Sequence, residues 1–257
     1  TLPMPERIYP PKRSTTFIFP SDLAVDEQNA YLYVSDSMNH RIARLNISQK
    51  DTDGFPKLIN YIGGRGKENG RFEFPQAIDV DVNGDLYVVD SGNHLIQKFD
   101  KNGNHLLTFC ETGLVSTQIL YPYSLSVDKS LNLVYVTESR QQKVKIFSKN
   151  GSPLYDFNSM TVETGQYSAV EGGIASYDNG TFVVSTRGYL TKFQITNLTD
   201  ANSNNIPDSI ESICQPDGSN NFCPPHCCVE DPDCNPLSCI FSNFKNYAAA
   251  YKNFEEF

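Results

Sequence analysis

The stretch Asp200-Ala-Asn202-Ser-Asn204-Asn205-Ile206-Pro-Asp208-Ser-Ile-Glu211 has the most specific chemical spacing in the chain. Asp200, Asn202, Asn204, Asp208 and Glu211 bring side-chain oxygens, and Ile206 brings a backbone carbonyl. Hard oxygen donors at these intervals wrap a Ca²⁺ ion, with Glu211 able to bind through both of its oxygens. Asn205 stands at the sharp turn, and asparagine tolerates a left-handed backbone better than most residues. Asparagines in place of aspartates lower the ligand charge, which points to weak affinity of the extracellular range. The alternative is an Asx-rich linker that holds no ion.

A second cluster follows at once. Six of the seven cysteines are Cys214, Cys223, Cys227, Cys228, Cys234 and Cys239. The residues between them, such as QPDGSNNF and VEDPD, cannot build an apolar core, so disulfides are expected to hold this piece together. The sequence does not choose among their pairings. A zinc site using His226 is the rival, but paired CxxC units are missing. Such cysteine density suits an oxidising compartment. Three sequons agree with it, at Asn46, Asn179 and Asn197, and N-linked glycans are expected there. Cys110 stands apart, either as a buried packing thiol or, because seven is odd, as a partner for the tail.

Catalytic constellations are scarcer. The four histidines offer no set of three metal ligands with an open position. Asp36, Asp90 and Glu138 recur at one place, each after an apolar run. A carboxylate there accepts hydrogen bonds from N–H groups of the following turn. The rival is a ring of carboxylates around a cation. His40 and His94 follow the first two of these acids at matching positions. Arg44, Lys98, Lys145 and Lys192 form a basic stripe, read as a solvated strand face or, alternatively, as a nucleic-acid contact.

The elements that position these residues are strands. In Phe74–Asp100, Ile78 and Val80 alternate with polar neighbours, Asn83-Gly84 is a turn dipeptide of the kind that joins two strands tightly, Leu86–Val89 is a β-branched and aromatic run, and Ile96–Phe99 resumes after Ser91-Gly92-Asn93. The meander recurs. Pro20, Pro75 and Pro122 open copies 55 and 47 residues apart, and Asp36, Asp90 and Glu138 are 54 and 48 apart. A degraded fourth copy runs from Ile174 to Phe193. Outer strands are expected at Lys57–Ile62, Leu106–Phe109 and Pro153–Phe157. A period of about 50 residues with three or four strands is the signature of propeller blades.

The pattern resembles the NHL repeat. Asn93-His94-Leu95 spells the motif, Asn39-His40-Arg41 nearly does, and the later copies read Gln141-Gln142-Lys143 and Arg187-Gly188-Tyr189. The resemblance covers about residues 17 to 195 and implies an all-β, NHL-type β-propeller with four blades in this chain. A small disulfide-rich tail and a short C-terminal helix follow. It does not imply an activity, because one fold serves many functions. The acidic loop is similar in turn to EF-hand loops and to the calcium repeats of thrombospondin-like and bacterial surface proteins.

The expected layout is an extended arm or closing strand at 1–16, the propeller at 17–198, a calcium-binding neck at 199–213, the cysteine module at 214–239 and an amphipathic helix at 240–257. No fourth strand follows Ile195, so Glu6–Tyr9 is the candidate that completes the last blade and hides its edge. A closed four-bladed ring and an arc completed by other sequence both stay open. In the helix Phe244, Tyr247, Tyr251 and Phe254 fall on one face. They are expected to dock on the propeller or on another subunit.

A formal charge of −9 over 257 residues disfavours nucleic acid and anionic membranes as partners, and no apolar run reaches the length of a membrane span. Thr1 opens no signal-peptide pattern, so the numbering is expected to begin at a mature terminus or inside a longer product. The reading is a secreted, non-enzymatic scaffold or adhesion glycoprotein with Ca²⁺ as its cofactor. Its partners are proteins, including copies of itself, and it can assemble into a filament or surface coat. Similar propellers include calcium-dependent lactonases and the zinc lyase that finishes peptide amidation. That resemblance implies metal ligands in a central channel and is the enzymatic alternative. An intracellular NHL binding module is the other.

Overall fold

The structure, a computed structural model, describes residues 17–110, 119–158, 172–177, 179–186, 189–195 and 254–256. Strong β-formers in short runs, separated by turn residues, give four antiparallel four-stranded sheets. The first comprises β1 (Pro20–Asp26), β2 (Tyr31–Asp36), β3 (Arg41–Lys50) and β4 (Pro56–Gly63); the second β5 (Pro75–Val80), β6 (Leu86–Asp90), β7 (Leu95–Phe99) and β8 (His105–Phe109). The third comprises β9 (Pro122–Asp128), β10 (Leu133–Glu138), β11 (Lys143–Ser148) and β12 (Pro153–Asn158); the fourth β13 (Ile174–Ser176), β14 (Thr181–Thr186), β15 (Tyr189–Ile195) and β16 (Phe254–Glu256). Each sheet is a meander in chain order. Among the described residues the helical content is one short 3-10 turn, Ser37–Asn39.

The last strand corrects two expectations. Phe254, Glu255 and Glu256 pair antiparallel with Ile195, Gln194 and Phe193. The edge of the fourth sheet expected to receive Glu6–Tyr9 is taken by the C-terminal end, and at 254–256 the expected helix is strand. An open edge with unpaired N–H and C=O groups outweighs the weak helix preference of so short a stretch. The whole arm at 1–16, Glu6–Tyr9 included, and the rest of the helix, with Phe244, Tyr247 and Tyr251, lie outside the described residues.

The chain forms two compact units, one running to Asn93 and including Gln97–Leu106, the other taking His94–Ile96 and the chain from Leu107. In the first, Ala24, Tyr33, Ile42 and Ile62 of the first sheet share a buried cluster with Ile78, Val80, Leu86, Val88 and Phe99 of the second. In the second unit, Leu133, Tyr135, Val144 and Ile146 share one with Ile174, Phe182, Val184, Phe193 and Ile195. The period-two alternation of each strand supplies these faces.

Three of the Asn-Gly turns are longer than two residues. Gly84 donates to the Asp81 carbonyl at 3.0 Å while Asp81 N–H donates to the Asp85 carbonyl at 3.0 Å, and the pattern repeats at Gly103 and Gly151. Only the glycine has positive φ, +80° at Gly84. That is the three-residue loop with glycine at the left-handed position. The Asp81 carboxylate takes the Asn83 and Asp85 N–H groups at 2.9 and 3.0 Å and fixes this loop.

Candidate functional site

The repeated carboxylates form a bolt inside each repeat. Asp36 Oδ1 accepts the Ile18 N–H at 2.7 Å, and Oδ2 accepts Asn39 Nδ2 and Arg41 Nε, both at 2.8 Å. Asp90 Oδ1 accepts the Glu73 N–H at 2.7 Å, and Oδ2 accepts Asn93 Nδ2 at 2.8 Å and Gln97 Nε2 at 3.0 Å. Glu138 Oε1 accepts the Leu120 N–H at 3.2 Å, and its other oxygen lies 3.5 Å from Lys145 Nζ. All three acids are fully buried. In the first two repeats the turn after the strand contributes an asparagine side chain rather than the main-chain N–H groups expected of it. The main-chain donor lies upstream, just before the first strand of the same repeat, a long-range partner that local patterning does not reveal. Burial, opposed by the bonds from Asn93, Glu73 N–H and Gln97, pushes the Asp90 carboxyl up to about 6. Burial also raises that of Glu138, with Lys145 working against it.

The histidines face the next repeat. His40, His94 and Gln142 share a left-handed backbone, with φ of 55°, 57° and 57°. His40 Nδ1 accepts the Phe74 N–H at 3.2 Å, and its ring lies 4.6 Å from the Phe74 ring. The His94 ring meets Tyr121 edge-on at 4.7 Å, and burial lowers its pKa, so it stays neutral at pH 7. Both histidines therefore act as staples to the Phe74-Pro75 and Tyr121-Pro122 segments that open the following copies.

The basic stripe is largely not a solvated face. Arg44, Lys98 and Lys145 are buried, and only Lys192 is exposed. Arg44 Nε donates to Asn60 Oδ1 at 2.9 Å, and a terminal nitrogen donates to the Lys101 carbonyl. Lys98 Nζ lies 3.4 Å from Asp81 Oδ2 and 3.0 Å from Asp85 Oδ2, above the Tyr87 ring. Burial drives the Tyr33 hydroxyl up to about 12 and raises that of Tyr87 further. The pairing shows that the stripe is not one position. Arg44 pairs with Tyr33, and Lys192 with Val183, each three residues before the repeated acid or its replacement. Lys145 instead pairs with Val136, while Ile146 faces Tyr135. The β10–β11 turn has four residues, as in the first two sheets, so Lys145 stands one position earlier than Arg44 on its strand, where the second copy has Gln97, and this puts it on the opposite face and onto Glu138.

Other expected residues are placed unevenly. Asn46 Oδ1 accepts the Ser48 N–H and hydroxyl at 2.9 and 2.7 Å and the Gln49 N–H at 3.0 Å, and Asn179 is exposed in its turn. Cys110 is a buried free thiol, with its pKa pushed up by burial. Asp200, Asn202, Asn204, Ile206, Asp208 and Glu211, the six tail cysteines and Asn197 lie outside the described residues. Among the described residues no three His, Cys, Asp or Glu side chains gather in a group that could hold a metal ion.

Known proteins resemble parts of this chain. Residues 72–99 match the NHL repeat. The chain is 31% identical over 102 residues to the protein brain tumor of Drosophila melanogaster, covering 39% of this chain and 10% of that protein. It is 26% identical over 138 residues to a probable peptidyl-alpha-hydroxyglycine alpha-amidating lyase of Caenorhabditis elegans, covering 51% of this chain and 37% of the lyase. The chain thus spans a tenth and about a third of these relatives. Among solved structures, U3-55K superposes with a TM-score of 0.53 at 16% identity, over 67% of this chain and 48% of the other. The RRP9 WD40 repeats give 0.52 at 15% identity, over 67% and 47%. These likenesses support a β-propeller type of fold, with an NHL repeat at residues 72–99.

Proposed function

We propose that this chain is a secreted, non-enzymatic scaffold glycoprotein that makes protein contacts through a rigid NHL-type propeller. One observation carries the reading: the repeat residues with chemical potential are spent on construction. Asp36, Asp90 and Glu138 bind main-chain donors, Arg44 and Lys98 bind neighbours in their own sheets, and His40 accepts a main-chain N–H. A body whose polar repeat residues are internally satisfied offers stiffness and surface, which suits a scaffold. Ca²⁺ at Asp200–Glu211 stiffens the join to a disulfide-bonded tail, and glycans stand at Asn46, Asn179 and Asn197. The similarity to an amidating lyase favours a second reading, a propeller enzyme that cleaves peptidyl-α-hydroxyglycine to a peptide amide and glyoxylate.

Expression in secreting cells, followed by peptide mass spectrometry and a glyoxylate-release assay, separates the readings. Glycosylated sequon peptides with no glyoxylate support the scaffold. Retention in the cytosol with bare asparagines sinks its secreted part, and turnover of the hydroxyglycine peptide sinks its non-enzymatic part. Hydrodynamic size with and without EDTA tests the neck, which should loosen on chelation.

A further inference from the structure

Both units use one kind of joint. The Tyr33 face of the first sheet packs on the Ile78 face of the second, and the Tyr135 face of the third packs on the Ile174 face of the fourth. A face of each of these kinds carries exposed apolar side chains, one on the first sheet and one on the fourth.

Leu23 of the first sheet is the repeat counterpart of Ile78, Leu125 and Ile174, because each pairs with the equivalent second-strand residue, Val34, Val88, Val136 or Val184. Ile78, Leu125 and Ile174 are 3%, 4% and 8% exposed, whereas Leu23 is 62% exposed. Val25 is exposed too, while its counterparts Val80 and Val127 are buried. The outer part of this face is filled by its own Val34, Ala43 and Leu45 with Phe17, Leu58 and Tyr61, so the open strip is the one along β1.

On the fourth sheet the other type of face is open. Leu190 pairs with Ser185 as Ile42 pairs with Ser35 and Val144 with Thr137. Ile42 and Val144 are fully buried, and Leu190 is 76% exposed. Tyr177, just past β13, is also exposed, and Val183 is only half-buried.

We propose that the Leu190 face of one copy docks on the Leu23–Val25 strip of a second copy, reproducing between chains the joint each unit forms internally. A second copy is the occupant the pattern selects, because it carries the matching face: Leu190 stands where the joints have Ile42 and Val144, and exposed Lys192 where the first sheet has Arg44. The contact is heterologous, so it propagates into a closed assembly or a filament. It rests on the scaffold reading only in supplying that scaffold with a self-partner.

The test is sedimentation velocity of the full chain over a range of concentrations. The expected result is concentration-dependent assembly. Leu190→Arg and Leu23→Arg should each weaken it roughly thirtyfold or more, since each puts a charge at the centre of an apolar contact. Both side chains are exposed in the single chain, so circular dichroism should show the fold unchanged. Mixing the two variants decides the geometry: each keeps one intact face, so they should form a one-to-one dimer and nothing larger. A chain that stays monomeric at every concentration overturns the proposal, whether those faces are then met by other repeats or by other proteins. Assembly insensitive to both substitutions overturns it equally. Neither result touches the glycan and glyoxylate measurements on which the scaffold reading stands.

Discussion

Replacing Asp90 tests the bolt on which each repeat depends. Its carboxylate is fully buried and accepts three bonds, from Glu73 N–H, Asn93 Nδ2 and Gln97 Nε2. In Asp90→Ala, Asn93 keeps the Gly66 carbonyl and Gln97 keeps the Arg71 carbonyl as acceptors, so only the Glu73 N–H loses its bond outright. One orphaned main-chain donor and two weakened amides should cost about 2–4 kcal/mol. Asp90→Asn keeps an acceptor for Glu73 but turns an NH₂ group toward two donors, at a cost of about 1–3 kcal/mol. The pH dependence follows from the sign of the shift. The folded carboxyl titrates at about 6, above its ordinary 3.8. The folded state therefore holds the proton more tightly than the unfolded one. Its contribution is fully present below the unfolded value and is lost as pH rises through about 6. The window spans roughly two pKa units, so the wild-type advantage lost across it should be no more than about 3 kcal/mol. Urea denaturation of wild type and Asp90→Asn, from about pH 4 to about pH 7, isolates this slope as their difference. A difference that is flat in pH, or an alanine variant as stable as wild type, would refute the account of a buried, strained acceptor.

Lys98→Met should destabilise by about 3–5 kcal/mol, because it strands the buried Asp81 beside Asp85, whereas Lys192→Met at the equivalent exposed position should change little; matched thermal melts check both. Gly151→Ala should cost about 2–4 kcal/mol in the same assay, since φ is +79° and a Cβ would stand 2.7 Å from the Phe109 ring. Cys110 should resist maleimide labelling in the folded chain and react only on unfolding, because it is buried with its thiol held in the neutral form; labelled-peptide mass spectrometry reads this directly.

The sheets were legible because period-two alternation, proline at the head of each copy and Asn-Gly at matching turns are all local signals. Pro56–Gly63, His105–Phe109 and Pro153–Asn158 fall within a residue of where those signals put the outer strands. Three things were not local. The Ile18, Glu73 and Leu120 N–H groups that meet the acids lie some seventeen or eighteen residues upstream, beyond any turn or cap pattern. The strand at Phe254–Glu256 is dictated by an edge far away in sequence, and three residues carry too little propensity to declare it. The basic stripe looked solvated because lysine and arginine usually are. Its burial depends on partners such as Asp81 and Asn60 that belong to other strands.

The Lys145 case shows how these limits can be turned to use. Lys145 looks like a member of the stripe with Arg44 and Lys98, yet with turns of equal length it stands where the second copy has Gln97, on the other face of its sheet. There it would be a buried, unpaired cation, which is untenable unless a carboxylate stands within reach. The third copy alone has glutamate, Glu138, where the first two have aspartate, and the longer side chain meets the displaced lysine at 3.5 Å. The lysine in the place of Gln97 and the glutamate in the place of Asp90 are thus one compensated exchange rather than two irregularities. The same logic makes Thr186 informative. At its position the fourth copy has no acid, and its lysine, Lys192, is exposed. Lys192 is the counterpart of Arg44 and lies on the face of Leu190 and Val183, whereas the position of Thr186 is in register with Val184 on the opposite face. That exposed face is Leu190, Val183 and Tyr177 around one cation, and water covers its apolar part poorly. Exposed apolar side chains around a single cation suit contact with another protein.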